Sequence, residues 1–341
     1  MSFWDSLYDV LGISFIMGGM QGGKILSKEE DKQENKLSIN EIKPMQYSFR
    51  PENLDQYIGQ EEAKDRIKMC VEQCLTLNPV HFLIYGAKGH GKTTLALIIA
   101  KMLEFDIMTY VGNSFTQQNL MDFLAKNQEN SNGMVLFLDE VHGLDKNLAD
   151  YMLPIIEQFI LPEGNLKLKP FVMIGCTTDK NQLAKKSEPF IDRCASGDIK
   201  LEHYNAEDIK TILKQLNERV YQKNISEEVY DILANNTRFN PRTATALFRD
   251  FLICKDIDKV LKSHKIIKNS LTKDDILVLK HLVEIGKPVG VEVLAIITQQ
   301  TKQDYQLLQE PYLIQQGYIS RSAKGRIATE KAKLLLQGLN K

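Results

Sequence analysis

The sequence predicts an α/β protein: a parallel sheet with helices on both faces, then an all-helical segment, then a small C-terminal domain of helices and one hairpin. Three observations carry this. Between residue 46 and about residue 201, short apolar runs alternate with stretches of helical periodicity. One run, Phe82-Leu83-Ile84-Tyr85, leads directly into Gly86-Ala87-Lys88-Gly89-His90-Gly91-Lys92-Thr93. Another, Met134-Val135-Leu136-Phe137-Leu138, ends in Asp139-Glu140.

The bulk numbers bound the rest. A chain of 341 residues is long enough for two or three domains with proper cores. The net charge of −1 excludes a global field that would draw the whole surface onto nucleic acid, so any such contact must be local. The five cysteines (Cys70, Cys74, Cys176, Cys194, Cys254) are odd in number and form no C-x-x-C pair. That predicts a reduced, cytoplasmic chain without structural disulfides or zinc.

Residues 1–45 read as an extension and linker. Phe3, Trp4, Leu7, Tyr8, Leu11 and Phe15 recur at helical spacing, and a glycine-broken stretch and a polar run follow. The helix is too short and too acidic to span a membrane, and no basic segment precedes it as in a secretory signal. It packs on the main domain, stays disordered, or docks its aromatic face in a protein partner's groove.

Within 46–203 the spacing predicts helices over 63–77, 93–103, 117–126 and 148–159, and strands over 82–85, 107–111, 134–138 and 171–178. The octapeptide beginning at Gly86 has the form G-x-x-x-x-G-K-[ST]; a chance match lacks the flanking strand and helix that this one has. Gly86, Gly89 and Gly91 allow a tight turn that aims backbone N–H groups, with those of Thr93 and Thr94 at the helix start, at phosphate oxygens. Lys92 would reach the β- and γ-phosphates, and the Thr93 hydroxyl would ligate Mg²⁺. Asp139, at the carboxyl end of a parallel strand and so at the ligand edge, would hold the Mg²⁺ shell. Glu140 would polarise the attacking water. Thr177 and Thr178 end a strand expected between the P-loop strand and the Asp-Glu strand, where a hydroxyl can position that water. Together these predict a Mg²⁺-dependent ATPase.

Helices are predicted over 206–223, 226–236 and 241–262. Pro241 suits a first turn, which puts Arg242 at a helix N-terminus. A cation is unfavourable there unless a phosphate lies in front of it; a solvated surface arginine is the alternative. Residues 271–341 carry helical patterns over 271–285, 291–298 and 303–316, then two short β runs bracketing Arg321-Ser322-Ala323-Lys324-Gly325-Arg326. Three helices and a basic hairpin fit a winged helix-turn-helix, with Arg321, Lys324 and Arg326 on an exposed turn as candidate DNA contacts. A solvated tip on a protein-binding domain is the other reading.

From about Tyr47 to Lys333 these pieces resemble the RuvB family of AAA+ ATPases, which drive branch migration of Holliday junctions. Arg50 to Gln60 looks like the family's opening segment around the adenine, which implies contacts from Arg50, Tyr57 and Ile58. The segment 136–144 is similar to its Walker B region, and Ile174 to Thr178 to its sensor 1 strand, with Cys176 in place of alanine. Asp192-Arg193 looks like its arginine finger and Pro241-Arg242 like sensor 2. The segment 310–329 looks like its winged helix. The resemblance implies a nucleotide domain over 46–203, a helical lid over 204–268 and a DNA-binding winged helix over 269–341. It also implies a homo-oligomeric ring, usually a hexamer, in which Arg193 reaches the next subunit's ATP.

The departures are specific. Ala87-Lys88-Gly89-His90 replaces Pro-Pro-Gly-Leu. Ile191 replaces a second arginine, and Cys194-Ala195 replaces Phe-Gly. Only residues 160–170 stand where the family carries a longer hairpin that binds RuvA, which puts a RuvA-like partner in question. The expected function is an ATP-driven motor on branched or duplex DNA; the alternative is a loader that places a partner protein on DNA. A regulatory ATPase with a protein-binding winged helix is a third reading.

Overall fold

The structure is a computed structural model that describes residues 49–339. The expected aromatic helix and linker of the first 45 residues lie outside the described residues. The chain divides into two compact units, Met1–Glu202 and His203–Lys341.

The first unit is built on a five-stranded sheet whose pairs are all parallel. Its strands are β1 Phe82–Tyr85, β2 Asp106–Val111, β3 Met134–Asp139, β6 Val172–Thr177 and β7 Gly197–Lys200, in the order β2-β3-β6-β1-β7. A short antiparallel hairpin, β4 Ile160–Leu161 with β5 Leu166–Lys167, stands apart from it. The period of two in the strands builds two separate cores. Phe82, Ile84, Val135, Phe137, Val172 and Ile174 pack with the helices Glu61–Thr76 and Lys92–Leu103. Leu83, Leu136, Leu138 and Met173 face the opposite layer, made by the helices Gln117–Glu129 and Lys146–Gln158. Burial on both faces explains why the inner strands β1, β3 and β6 read as near-continuous apolar runs.

The crossover order matters for the site. Because β6 lies between β3 and β1, the carboxyl ends of all three strands meet at one edge. The expected place of the Thr177-Thr178 strand is the observed one. The expectations missed β7, which is four residues long with one strongly apolar side chain, Ile199, and is a strand by virtue of its pairing with β1.

In the second unit the helices Ala206–Leu216, Glu227–Asn235 and Pro241–Cys254 precede the C-terminal elements. Two expected helices are shorter than predicted. The 206–223 helix widens into a π turn over Asn217–Tyr221 and stops at Gln222, whose φ is 51°, with the Asn217 amide bridging to the Lys223 backbone. The 241–262 helix breaks at Lys255, which has φ 54°, and restarts as Ile257–Ser263. There the Asp256 carboxylate caps the new N-terminus by accepting from the Lys259 N–H.

The last part holds helices Lys273–Ile285, Val291–Ile297, Glu310–Gln315 and Glu330–Leu339, with hairpin strands β10 Ile319–Ser322 and β11 Gly325–Ala328. A small pair, β8 Ile266–Lys268 and β9 Leu271–Thr272, leads into it. The expected 303–316 helix contains a π turn over Tyr305–Gln309, just before Pro311, which has no N–H to offer the preceding turn. Among the described residues no helix is long and apolar enough to cross a membrane.

Candidate active site

The site begins where β1 turns into the helix Lys92–Leu103. Gly91 caps that helix at φ 90°, and a Cβ there would lie 2.5 Å from the Tyr57 hydroxyl. Only glycine meets both demands. Tyr57 is buried beneath the loop and donates its hydroxyl to the His90 carbonyl at 2.8 Å. It supports the loop from below, while Arg50 is exposed and Ile58 half-buried beside it in sequence. The Lys92 ammonium donates to the Gly86 and Ala87 carbonyls at 2.9 and 3.1 Å, so it sits inside the curl of the loop. The helix opens with Lys92, Thr93 and Thr94, and no side chain caps its first turn from Gly91, so its first N–H groups face the loop.

Across the edge, the Thr93 hydroxyl lies 3.3 Å from Asp139 Oδ2. These two oxygens, on the first turn of a helix and the last residue of β3, suit a hard cation such as Mg²⁺, which takes oxygen donors and keeps several waters. Among the described residues no cluster of three or more His, Cys, Asp or Glu forms a metal cage.

Glu140 leaves β3 with φ 48° and ψ 50°. This left-handed turn is locked from two sides. The Gly143 N–H donates to the Glu140 carbonyl at 2.8 Å, and a Cβ on Gly112 would come within 2.5 Å of that carbonyl oxygen. The turn swings the Glu140 carboxylate towards β6. There its Oε2 accepts from the Thr178 hydroxyl at 3.1 Å and from the Thr178 N–H at 3.3 Å. His142 Nδ1 is 3.3 Å from the same oxygen and 2.9 Å from Thr177 Oγ1. Behind the threonines, burial and the nearby Asp139 charge hold the Cys176 thiol well above its ordinary range, so it stays neutral under the site.

Two expected residues take no part in these contacts. Arg193 ends the helix Glu188–Arg193 and borders a groove of about 720 Å³ that also includes His81, Glu157 and Asp192. Its Nη2 and Nε donate to Glu157 Oε2 at 2.8 and 3.2 Å. Burial pushes the adjacent Cys194 thiol up to about 12. Arg242 is exposed on the first turn of Pro241–Cys254, whose N-cap is the Asn240 side chain.

The hairpin corrects one expectation. Arg321 and Lys324 are exposed on it, but Arg326 is buried. The Arg326 backbone pairs with Val289 through both its N–H and its carbonyl, an isolated antiparallel bridge beside β11. Its guanidinium then meets the Glu310 carboxylate through Nε to Oε1 at 2.8 Å and Nη2 to Oε2 at 2.9 Å. An arginine committed this way, with 8% of its side chain exposed, is not a free surface cation. Charge counting along the hairpin cannot separate it from its neighbours; Glu310, one residue before Pro311, was the available signal.

Residues 49–197 match the family model described as the Holliday junction DNA helicase RuvB P-loop domain, and residues 268–337 match the RuvB C-terminal winged helix domain. The curated Holliday junction branch migration complex subunit RuvB of Acholeplasma laidlawii is 35% identical over 313 residues, covering 84% of this chain and 91% of that protein. The chain belongs to the RuvB family. The RuvB subunit of Lactobacillus johnsonii is 32% identical over 334 residues, covering 90% of this chain and 96% of its own. A solved Thermotoga maritima RuvB, titled a Holliday junction branch migration motor, superposes with a TM-score of 0.70 at 32% identity, covering 84% of this chain and 98% of that one. A point mutant of the same protein gives 0.72 at 30% identity, with the same coverage of both chains. Membership makes the chain a P-loop ATPase with the RuvB arrangement of an α/β nucleotide domain and a C-terminal winged helix.

Sequence reasoning did not assign His142 or Glu157 a role. Both are ordinary in local pattern, and only the fold brings them to Glu140 and Arg193.

Proposed function

We propose that this RuvB-family chain is an ATP-driven motor that moves Holliday junctions or other branched or duplex DNA. The observation that carries the reading is the convergence of the P-loop, Asp139-Glu140 and Thr178 on one sheet edge, in a chain that also carries a winged helix with an exposed basic tip. In this reading the backbone of Gly86 to Thr94 and the Lys92 ammonium bind the phosphates of ATP. Arg50, Tyr57 and Ile58 form the adenine end. Thr93 and Asp139 hold Mg²⁺, which when bound neutralises charge on the β- and γ-phosphates.

Glu140 is the group that polarises the attacking water. Its Oε2 is occupied by Thr178, which leaves Oε1 to accept from that water. Thr177 and Thr178 align it. Arg193 acts in trans at the next subunit's ATP, in a homo-oligomeric ring that we take to be a hexamer. Arg242, on the helical lid 204–268, meets a phosphate of the nucleotide. The domain 46–203 binds nucleotide, and 269–341 binds DNA through Arg321 and Lys324. The protein works in the cytoplasm, where its DNA is.

The test is the rate of ATP hydrolysis with no DNA, with duplex and with a four-way junction. The reading expects stimulation by DNA, and loss of nearly all turnover in Glu140→Gln with ATP binding retained. Indifference to DNA contradicts it, as does Glu140→Gln hydrolysis at the wild-type rate.

A further inference from the structure

We propose that His142 is a positioning residue for hydrolysis, acting through the Glu140 carboxylate and linking it to the tip of β6. The inference rests on the reading of Glu140 as the group that polarises water. It concerns a side chain to which that reading gives no part.

The geometry is a three-point junction. His142 Nδ1 lies 2.9 Å from Thr177 Oγ1 and 3.3 Å from Glu140 Oε2. Thr177 is fully buried, and its Oγ1 also accepts from the Asp179 N–H at 3.0 Å. That hydroxyl is therefore fixed to the backbone at the end of β6. An ionised Glu140 beside Nδ1 favours the tautomer with the proton on that nitrogen, because the other tautomer would point a lone pair at a carboxylate. With the proton on Nδ1, His142 donates to Thr177 and Glu140 from one N–H.

The imidazole is itself held. It sits on the tight turn Val141–Gly143, and its backbone carbonyl accepts from the Lys186 ammonium at 2.8 Å, with the Leu144 carbonyl accepting from the same group at 3.1 Å. Lys186 closes the helix Lys180–Lys186, which follows directly from β6. The ring thus has a fixed base and a fixed second partner.

The chemical consequence follows from which oxygen is used. Thr178 and His142 both address Oε2. Donors from two separate elements, the tip of β6 and the turn Val141–Gly143, hold that oxygen from two directions and fix the carboxylate's torsion, and Oε1 is left to accept from water. With Thr178 alone, Oε2 keeps donors from a single, exposed residue and the carboxylate can pivot about that contact. Rate depends steeply on such placement, with a 1 Å error costing on the order of a hundredfold. His142 itself touches neither nucleotide nor water in this account.

The experiment uses the full chain. His142→Phe fills the ring's space without the donor, and His142→Asn offers an amide N–H near the position of Nδ1. The expected result is a kcat lowered on the order of ten- to a hundredfold for His142→Phe, with KM for ATP and the unfolding midpoint near wild type. His142→Asn should recover most of the rate. In the Glu140→Gln background, His142→Phe should add no further loss, since a group acting through Glu140 has nothing left to act on. The proposal is overturned if His142→Phe keeps the wild-type kcat, if Phe and Asn behave alike, or if the losses multiply in the double variant. Wild-type hydrolysis by Glu140→Gln would instead remove the reading on which the inference rests. A lost rate in Glu140→Gln beside an unaffected His142→Phe would remove the inference alone.

Discussion

Replacing Arg326 by Ala should destabilise the winged helix without the signature of a lost phosphate contact. Arg326 and Glu310 are 8% and 4% exposed at their side chains and joined by two charge-assisted hydrogen bonds. Removing the guanidinium leaves the Glu310 carboxylate buried without the cation that faces it. Breaking one side of a buried pair costs about 3–5 kcal/mol, because the remaining ion keeps its desolvation penalty. Replacing both residues by Met removes both penalties, so the double variant should be about as stable as wild type or more so. Arg321→Ala with Lys324→Ala should behave in the opposite way. Both side chains are exposed, so stability should change by less than about 0.5 kcal/mol, while the salt slope of duplex binding falls by roughly two units if each makes one contact. Urea unfolding of the full chain and binding of a labelled duplex at several salt concentrations separate the two cases. Arg326→Ala unfolding like wild type, or a double Met variant that lowers the salt slope as the Arg321 and Lys324 changes do, would refute a buried structural role for Arg326.

Three further outcomes follow from other parts of the fold. His81 donates from Nε2 to the Ile156 carbonyl at 2.6 Å and accepts at Nδ1 from the Met173 N–H at 3.0 Å, and burial lowers its pKa from 6.5 to about 4. The unfolded chain therefore binds the extra proton first, so stability falls as pH drops below 6.5, by about 2 kcal/mol at pH 5; urea titrations should show His81→Gln lacking that component, and parallel losses would refute it. Arg193→Ala should bind ATP but hydrolyse it poorly, and mixing it with Lys92→Ala subunits should restore part of the activity, since each supplies what the other lacks. Glu157→Gln, which loosens the exposed pair holding Arg193 at a cost below about 1 kcal/mol, should leave unfolding unchanged and not lower the hydrolysis rate; a lower rate would mean that Glu157 does more than hold the arginine.

The nucleotide edge was legible because its signals are local. The octapeptide at Gly86, the strand before it and the acidic pair after Leu138 each need only a few consecutive residues. The expected place of Thr177-Thr178, between the P-loop strand and the Asp-Glu strand, is the observed one. What escaped was set by distant partners. β7 is a strand because β1 offers it a ladder, not because of its own side chains. Arg326 looks like its neighbours until the Val289 pairing turns it onto Glu310. The break at Lys255 hides in a helical pattern, with only the capping propensity of Asp256 to mark it. His142 lies within the Walker B-like segment 136–144, but its partners, Thr177 and Glu140, meet it only after the left-handed turn at Glu140.

The proposed function is that hydrolysis at this sheet edge moves DNA. The direct measurement follows a labelled four-way junction with mobile arms, incubated with the full chain, Mg²⁺ and ATP. The expected result is ATP-dependent conversion of the junction to duplex products, absent without ATP and absent in Glu140→Gln, which still binds both ATP and the junction. Hydrolysis stimulated by the junction with no movement of its arms, or movement that persists in Glu140→Gln, would contradict it.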